Sequence, residues 1–157
     1  MKVKFILNFK SFKMIDKSKE LTASVQLIND RLHFLGKADG NEPVSIDYIP
    51  PFGDNLGYTS LELLLLSLSS CIGSAVLLFL RRMNKTISSC EIKAAGQRRE
   101  EHPTGFRNID VTILIESPDI SDDDMSKVIK LTEDKYCPVY SMIRGTTDVR
   151  IRCIVNN

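Results

Sequence analysis

The chain has 157 residues, 26% of them charged and 43% hydrophobic, and a formal net charge of +1. That length suits one domain with a sizeable core, and the near-neutral charge gives no electrostatic reason to expect nucleic acid or an anionic surface as partner. Four cysteines and two histidines without a CxxC spacing match no common metal motif.

The first stretch, MKVKFILNFKSFKMIDKSK, is basic and partly apolar. It fails as a signal peptide, because its apolar core is only FIL before Asn8 and Lys10 and no small-residue cleavage site follows. We read residues 1–20 as an arm or extra strand and residues 21–157 as the domain. The expected compartment is the cytoplasm, where cysteines stay reduced and a disulfide is more often catalytic than structural.

Leu21–Ile28 reads as a strand, Asn29-Asp30 as a turn, and Arg31–Gly36 as a second strand. After a turn over Ala38–Glu42, Val44–Ile49 alternates as a third, giving an antiparallel meander. The turn-rich Pro50–Gly57 then leads into Ser60–Arg82, the longest apolar run in the chain, which has no proline. It predicts a helix of roughly six turns, apolar on nearly every face and therefore buried on nearly every face. Within it, Leu63–Leu80 has the length of a bilayer span. Five of those residues are Ser or Gly, however, so a packed core helix is expected and no membrane. Ser67, Ser69, Ser70, Gly73 and Ser74 surround Cys71 and leave room for a close neighbour.

Ile87–Arg99 and Phe106–Glu116 form a predicted hairpin around the HPTG turn at His102. In the second strand Ile109, Val111, Ile113 and Ile115 share one face. Arg98, Arg99, Glu100 and Glu101 read as a solvated strand edge that discourages aggregation. Ser121–Lys135 is a predicted helix capped by Ser121, with Asp122, Asp123 and Asp124 suited to the positive end of its dipole. Pro138 stops it, a short helical turn follows Cys137, and Thr147–Val155 is the last strand. The order βββ-α-ββ-α-β describes an α+β protein. An all-apolar helix needs more cover than one such sheet supplies, so a dimer is expected.

Cys90 and Cys153 fall on apolar strand faces and read as core residues. Cys71 and Cys137 are left open by spacing alone, between buried filler and reactive thiol. Pro138 places Cys137 at a helix N-cap, where backbone N–H groups and the dipole favour a thiolate.

Two segments carry a resemblance. Leu61-Glu62-Leu63-Leu64-Leu65-Leu66-Ser67-Leu68-Ser69-Ser70-Cys71 resembles the helix motif of the OsmC/Ohr family of thiol-dependent hydroperoxide reductases. Lys135-Tyr136-Cys137-Pro138-Val139 resembles its second-cysteine motif, 66 positions further on. Arg98–Glu101 with Pro103 and Phe106 resembles the hairpin of the OsmC-like branch, and the likeness runs from about Thr22 to Val155. It implies an intertwined homodimer, with antiparallel sheets wrapped around two long central helices and active sites at the interface. It implies Cys71 as peroxidatic thiol and Cys137 as resolving thiol, with an organic hydroperoxide as substrate, an external thiol as reductant, and no metal, flavin or haem. The well-studied branches add an Arg from the N-terminal strands and a Glu at the helix start. Glu62 matches the Glu, and Arg31 is the candidate Arg before the helix. Glu62 lies nine residues before Cys71, on the other side of a regular helix and roughly 13 Å along its axis. It either serves the other subunit's site or sits where the helix N-terminus favours a carboxylate. A ligand-binding dimer of the same fold and a thiol redox sensor acting through the N-terminal arm are the rival readings.

Overall fold

The computed structural model describes residues 17–156, so most of the N-terminal arm lies outside the described residues. The chain divides into two compact units, residues 1–59 and residues 60–157.

In the first unit, β1 (Ala23–Leu27), β2 (Phe34–Ala38) and β3 (Val44–Ile46) form the expected antiparallel meander in the order β1-β2-β3. β2 starts three residues later than the sequence suggested, because Asn29 widens the turn. Its Oδ1 accepts from the backbone N–H of Arg31 (3.0 Å) and His33 (3.1 Å). β3 ends early because Asp47 leaves the ladder to organise the next loop. Its carboxylate, 3% exposed, accepts from the backbone N–H of Tyr48 (2.7 Å), Asp54 (3.0 Å) and Leu56 (2.9 Å). Burial works to raise its pKa, but those backbone bonds and the nearby His33 hold it below the usual carboxylate range. Gly53 is required in this loop, since a Cβ there would run into the Tyr48 carbonyl and the Asp47 carboxylate.

The second unit begins with α1 (Ser60–Arg82), on the bounds the sequence predicts. It ends in a Schellman motif. Asn84 takes φ 57°, and the N–H groups of Lys85 and Asn84 bond to the carbonyls of Leu80 and Arg81, both at 3.0 Å. β4 (Ser89–Arg98) and β5 (Phe106–Glu116) form the predicted hairpin, and β6 (Asp148–Asn156) completes the order β4-β5-β6. β6 runs parallel to β5, so this sheet is mixed rather than antiparallel. The helical stretch between the two strands is the crossover that parallel pairing needs.

The core lies between α1 and this sheet. Ile109, Val111, Ile113 and Ile115 of β5 are fully buried, as are Leu68, Ile72, Val76 and Leu80 at a spacing of four along α1. Gly73 lets the helix approach β4, since a Cβ would overlap the Ile92 side chain. The prediction that α1 is buried on nearly every face fails within one chain. One sheet covers one stripe, and Leu66 and Leu78 remain 51% and 46% exposed. α1 is long and apolar enough to cross a membrane, but its buried stripe is occupied by packing against the isoleucines and valines of β5.

α2 (Asp122–Leu131) starts in a capping box. Ser121 Oγ accepts from Asp124 N–H (3.2 Å) and Asp124 Oδ2 accepts from Ser121 N–H (3.0 Å). The predicted helix to Lys135 is α-helical only to Leu131 and continues as a π-helical turn over Thr132–Tyr136. α3 (Pro138–Ile143) follows. The ends of α1 and α2 are braced through Lys85, whose Nζ lies 2.7 Å from both Asp124 Oδ2 and the Asp119 carbonyl.

Two tests follow from this packing. Ile113→Ala should cost about 2–5 kcal/mol, read as a lower urea midpoint; an unchanged midpoint would contradict the assigned core. Asp124 is held below its usual range, first by the Lys85 hydrogen bond and then by Ser121. A depressed folded-state pKa gives stability that is present above the unfolded pKa and lost on acidification. Lys85→Met should therefore be less stable than wild type near neutral pH, and the difference should vanish in strong acid. A difference independent of pH would assign Lys85 a packing role only.

Candidate functional site

The crossover from β5 to β6 brings the second cysteine motif onto α1. Cys71 lies midway along α1, half-buried and packed against the core. Cys137 lies between the π turn and α3 and is 1% exposed. Both belong to the packing around α1, and Cys71 is near enough to influence the Cys137 thiol, so sulfurs 66 positions apart in sequence are brought close together. Both are free thiols. A small molecule reaching this pair meets Cys71 first, since Cys137 is enclosed.

Cys137 is the N-cap of α3, as Pro138 predicts. Its Sγ accepts from Tyr140 N–H at 3.3 Å, and its own N–H bonds to the Thr132 carbonyl at 3.1 Å. The cap position favours a thiolate, but the surroundings oppose it. Burial, and then the neighbouring Cys71 thiol, push the Cys137 thiol up to about 12, against the backbone N–H groups of Tyr140 and Val139. A six-residue helix brings too small a dipole to a buried sulfur to offset that desolvation. Cys137 is therefore a protonated thiol at neutral pH. Burial also raises the thiols of Cys90 and Cys153. Both pack against the core, as their strand positions suggested.

Next to Cys137 in the chain, Tyr136 reaches α1. Phe79 of α1 meets Tyr136 edge-on, with ring centroids 4.6 Å apart, and Arg82 covers Phe79 at 5.7 Å. Glu133 in the π turn and Tyr140 of α3 are near enough to influence each other's ionisation. Burial, followed by the neighbouring Asp134, raises the Glu133 carboxyl above its usual range. The sequence reading missed Glu133. Its only signal was an acidic residue four positions before Cys137, hidden by the assumption of a regular α-helix.

The remaining sequence candidates sit elsewhere. Glu62 is exposed in the first turn of α1. That helix is continuous to Cys71, so the two stay roughly 13 Å apart along the axis within one chain. Arg31 belongs to the first unit, where its Nη1 pairs with Asp54 Oδ1 at 2.8 Å. Arg98 and Arg99 do more than solvate an edge. Arg98 bonds to Thr104 O (2.9 Å) and Oγ1 (2.6 Å), and Arg99 to the Thr146 carbonyl (2.9 Å), which braces the hairpin turn. Among the described residues no group of three or more His, Cys, Asp or Glu is placed to hold a metal ion.

The state of Cys137 is open to direct test. In native protein at neutral pH, iodoacetamide should leave Cys137 unmodified, while denatured protein is labelled there; equal labelling in both states would contradict a buried, protonated thiol. A folded-state pKa above the unfolded value also means that this stabilisation is present below the unfolded pKa of 9.0 and is lost as pH rises through about 12.

Comparison with known proteins places the chain. It is 25% identical to protein YhfA of Escherichia coli K12 over 118 residues, 75% of this chain and 86% of that one. A hypothetical protein from Aquifex aeolicus superposes with a TM-score of 0.77 at 24% identity, covering 88% of this chain and 97% of that one. The organic hydroperoxide resistance protein OhrB of Bacillus subtilis superposes with a TM-score of 0.61 at 18% identity, covering 86% and 98%. The family model described as OsmC-like protein matches residues 53–152, which include both members of the thiol pair, and the chain therefore belongs to the OsmC-like protein family.

Proposed function

We propose that the protein is a thiol-dependent hydroperoxide reductase in which Cys71 is the peroxidatic and Cys137 the resolving cysteine. The observation that carries this reading is the closeness of a half-buried thiol on α1 to an enclosed, protonated one. The thiolate is the nucleophile. The Cys71 sulfur attacks one oxygen of the peroxide. An S–O bond forms, the O–O bond breaks, and the departing alkoxide takes a proton to leave as an alcohol. Cys71 is oxidised by two electrons to sulfenic acid while the peroxide is reduced by two. Cys137 then attacks the Cys71 sulfur. An S–S bond forms, and the hydroxyl leaves with the Cys137 proton as water. An external dithiol reduces the disulfide by exchange and restores both thiols.

The apolar lining of Cys71 by α1 suits an organic rather than a hydrogen peroxide. A reducing compartment such as the cytoplasm supplies the dithiol. A homodimer fits the same reading, because the half-exposed Leu66 and Leu78 of α1 need an apolar partner. In such a dimer Glu62 would serve the partner's thiol pair.

Turnover of cumene hydroperoxide with dithiothreitol as reductant tests the roles. Cys71→Ser should lose on the order of 10³-fold or more, as expected for removal of a nucleophile. Cys137→Ser should complete one peroxide per site and then over-oxidise at Cys71. Full turnover by Cys71→Ser would refute the reading.

A further inference from the structure

We propose that Phe79 and Tyr136 are positioning residues for Cys137, tying the segment that carries it to the helix that carries Cys71. The inference rests on the thiol-pair reading above and adds to it what keeps the second thiol in place. Tyr136 directly precedes Cys137, and Phe79 follows Cys71 by eight residues on α1. The two rings meet edge-on, with centroids 4.6 Å apart and planes at 66°. Phe79 is itself packed against the core, and the Arg82 guanidinium, one turn further along α1, lies over its ring at 5.7 Å. α1 is continuous from Cys71 to Phe79, a rise of roughly 12 Å. One rigid helix therefore carries both the sulfur to be met and the ring that holds the residue before Cys137.

The hydrogen bonds of Cys137 do not reach α1. Its N–H bonds to the Thr132 carbonyl at 3.1 Å, and its Sγ accepts from Tyr140 N–H at 3.3 Å. Both bonds fix the sulfur within its own segment, a π-helical turn followed by a helix of only six residues. Such a segment lacks the cooperativity of a longer helix. Val139 and Ile143 of α3 pack against the core, but apolar burial is non-directional. An edge-on ring pair has a preferred distance and angle, so it resists sliding of the turn along α1. Tyr136 is 42% exposed, so what it adds is this directed contact more than buried area. The consequence falls on one chemical step. Oxidation of Cys71 by peroxide does not involve Cys137 as a reactant. Disulfide closure needs the Cys137 sulfur to approach the sulfenic sulfur along a defined line. The S–S bond forms, the S–O bond breaks, and the hydroxyl leaves with the Cys137 proton as water. Small misplacements of a reacting group are costly to such a step.

The two steps can be timed separately. Sulfenic acid at Cys71 is trapped with dimedone after one equivalent of cumene hydroperoxide, and closure is followed as the loss of two hydrogens in quenched intact-mass samples. Tyr136→Leu should close the disulfide about threefold to tenfold slower, with sulfenic acid formation changed by less than about twofold. Tyr136→Phe keeps the ring and should close near the wild-type rate. Phe79→Leu should match Tyr136→Leu, and the double variant should be no slower than either single one, because both remove the same contact. A merely structural role would slow both steps together and would add in the double variant. Wild-type closure by Tyr136→Leu, closure by Tyr136→Phe as slow as by Tyr136→Leu, or additive slowing in the double variant would overturn the inference. If Phe79→Leu does not fold, the two Tyr136 variants decide it. Failure of the wild-type protein to form any disulfide would instead overturn the thiol-pair reading, and this inference with it.

Discussion

Leu68, Ile72, Val76 and Leu80 pack from α1 onto the fully buried face of β5, and the placement of the site depends on that contact. Burying these side chains contributes roughly 1.5–3 kcal/mol each, enough to fix the rotation of the helix about its axis. Once rotation is fixed, so is the position of Cys71, which follows Leu68 by three residues and precedes Ile72 by one. Gly73 sets the distance, because the absence of a Cβ lets the helix settle against Ile92. The second thiol arrives by topology. A parallel β6 obliges the chain to cross over from the end of β5 to its beginning, and the crossover carries Cys137 against α1.

Burial and contact then divide the labour between the two sulfurs. Enclosure keeps Cys137 protonated, which makes it a poor nucleophile on its own. Cys71 has the access that a substrate needs. Once Cys71 carries a hydroxyl, the proton on Cys137 has somewhere to go, because water is the leaving group of disulfide closure. The same desolvation that silences Cys137 in the reduced state therefore costs little at the step where it reacts.

Much of this was legible in the sequence. The alternation of Ile109, Val111, Ile113 and Ile115 identified the buried strand, and an uninterrupted apolar run gave α1 its bounds. Ser121 and three aspartates marked the start of α2, and Pro138 marked Cys137 as a cap. What was missed has a common physical cause, because it depends on contacts distant in sequence. The state of the Cys137 thiol is set by enclosure and by Cys71, neither of which a local dipole argument includes. The π turn over Thr132–Tyr136 departs from the regular helix that the sequence predicts to Lys135, and nothing in the local pattern marks it. The parallel pairing of β6 depends on where the crossover lands rather than on any property of the strand itself. The strong periodicity of α1 led to the opposite error. Apolar on all sides, it reads as fully buried, yet one chain covers only one stripe.

The central claim is that Cys71 and Cys137 form a working pair, and it is tested most directly by mapping the product of a single oxidation. One equivalent of cumene hydroperoxide is added to reduced protein, and the non-reduced digest is analysed by mass spectrometry. The account predicts a loss of two hydrogens per chain, located in a peptide pair joined between Cys71 and Cys137, and none at Cys90 or Cys153. An unchanged mass, or a disulfide that leaves out either member of the pair, would contradict it.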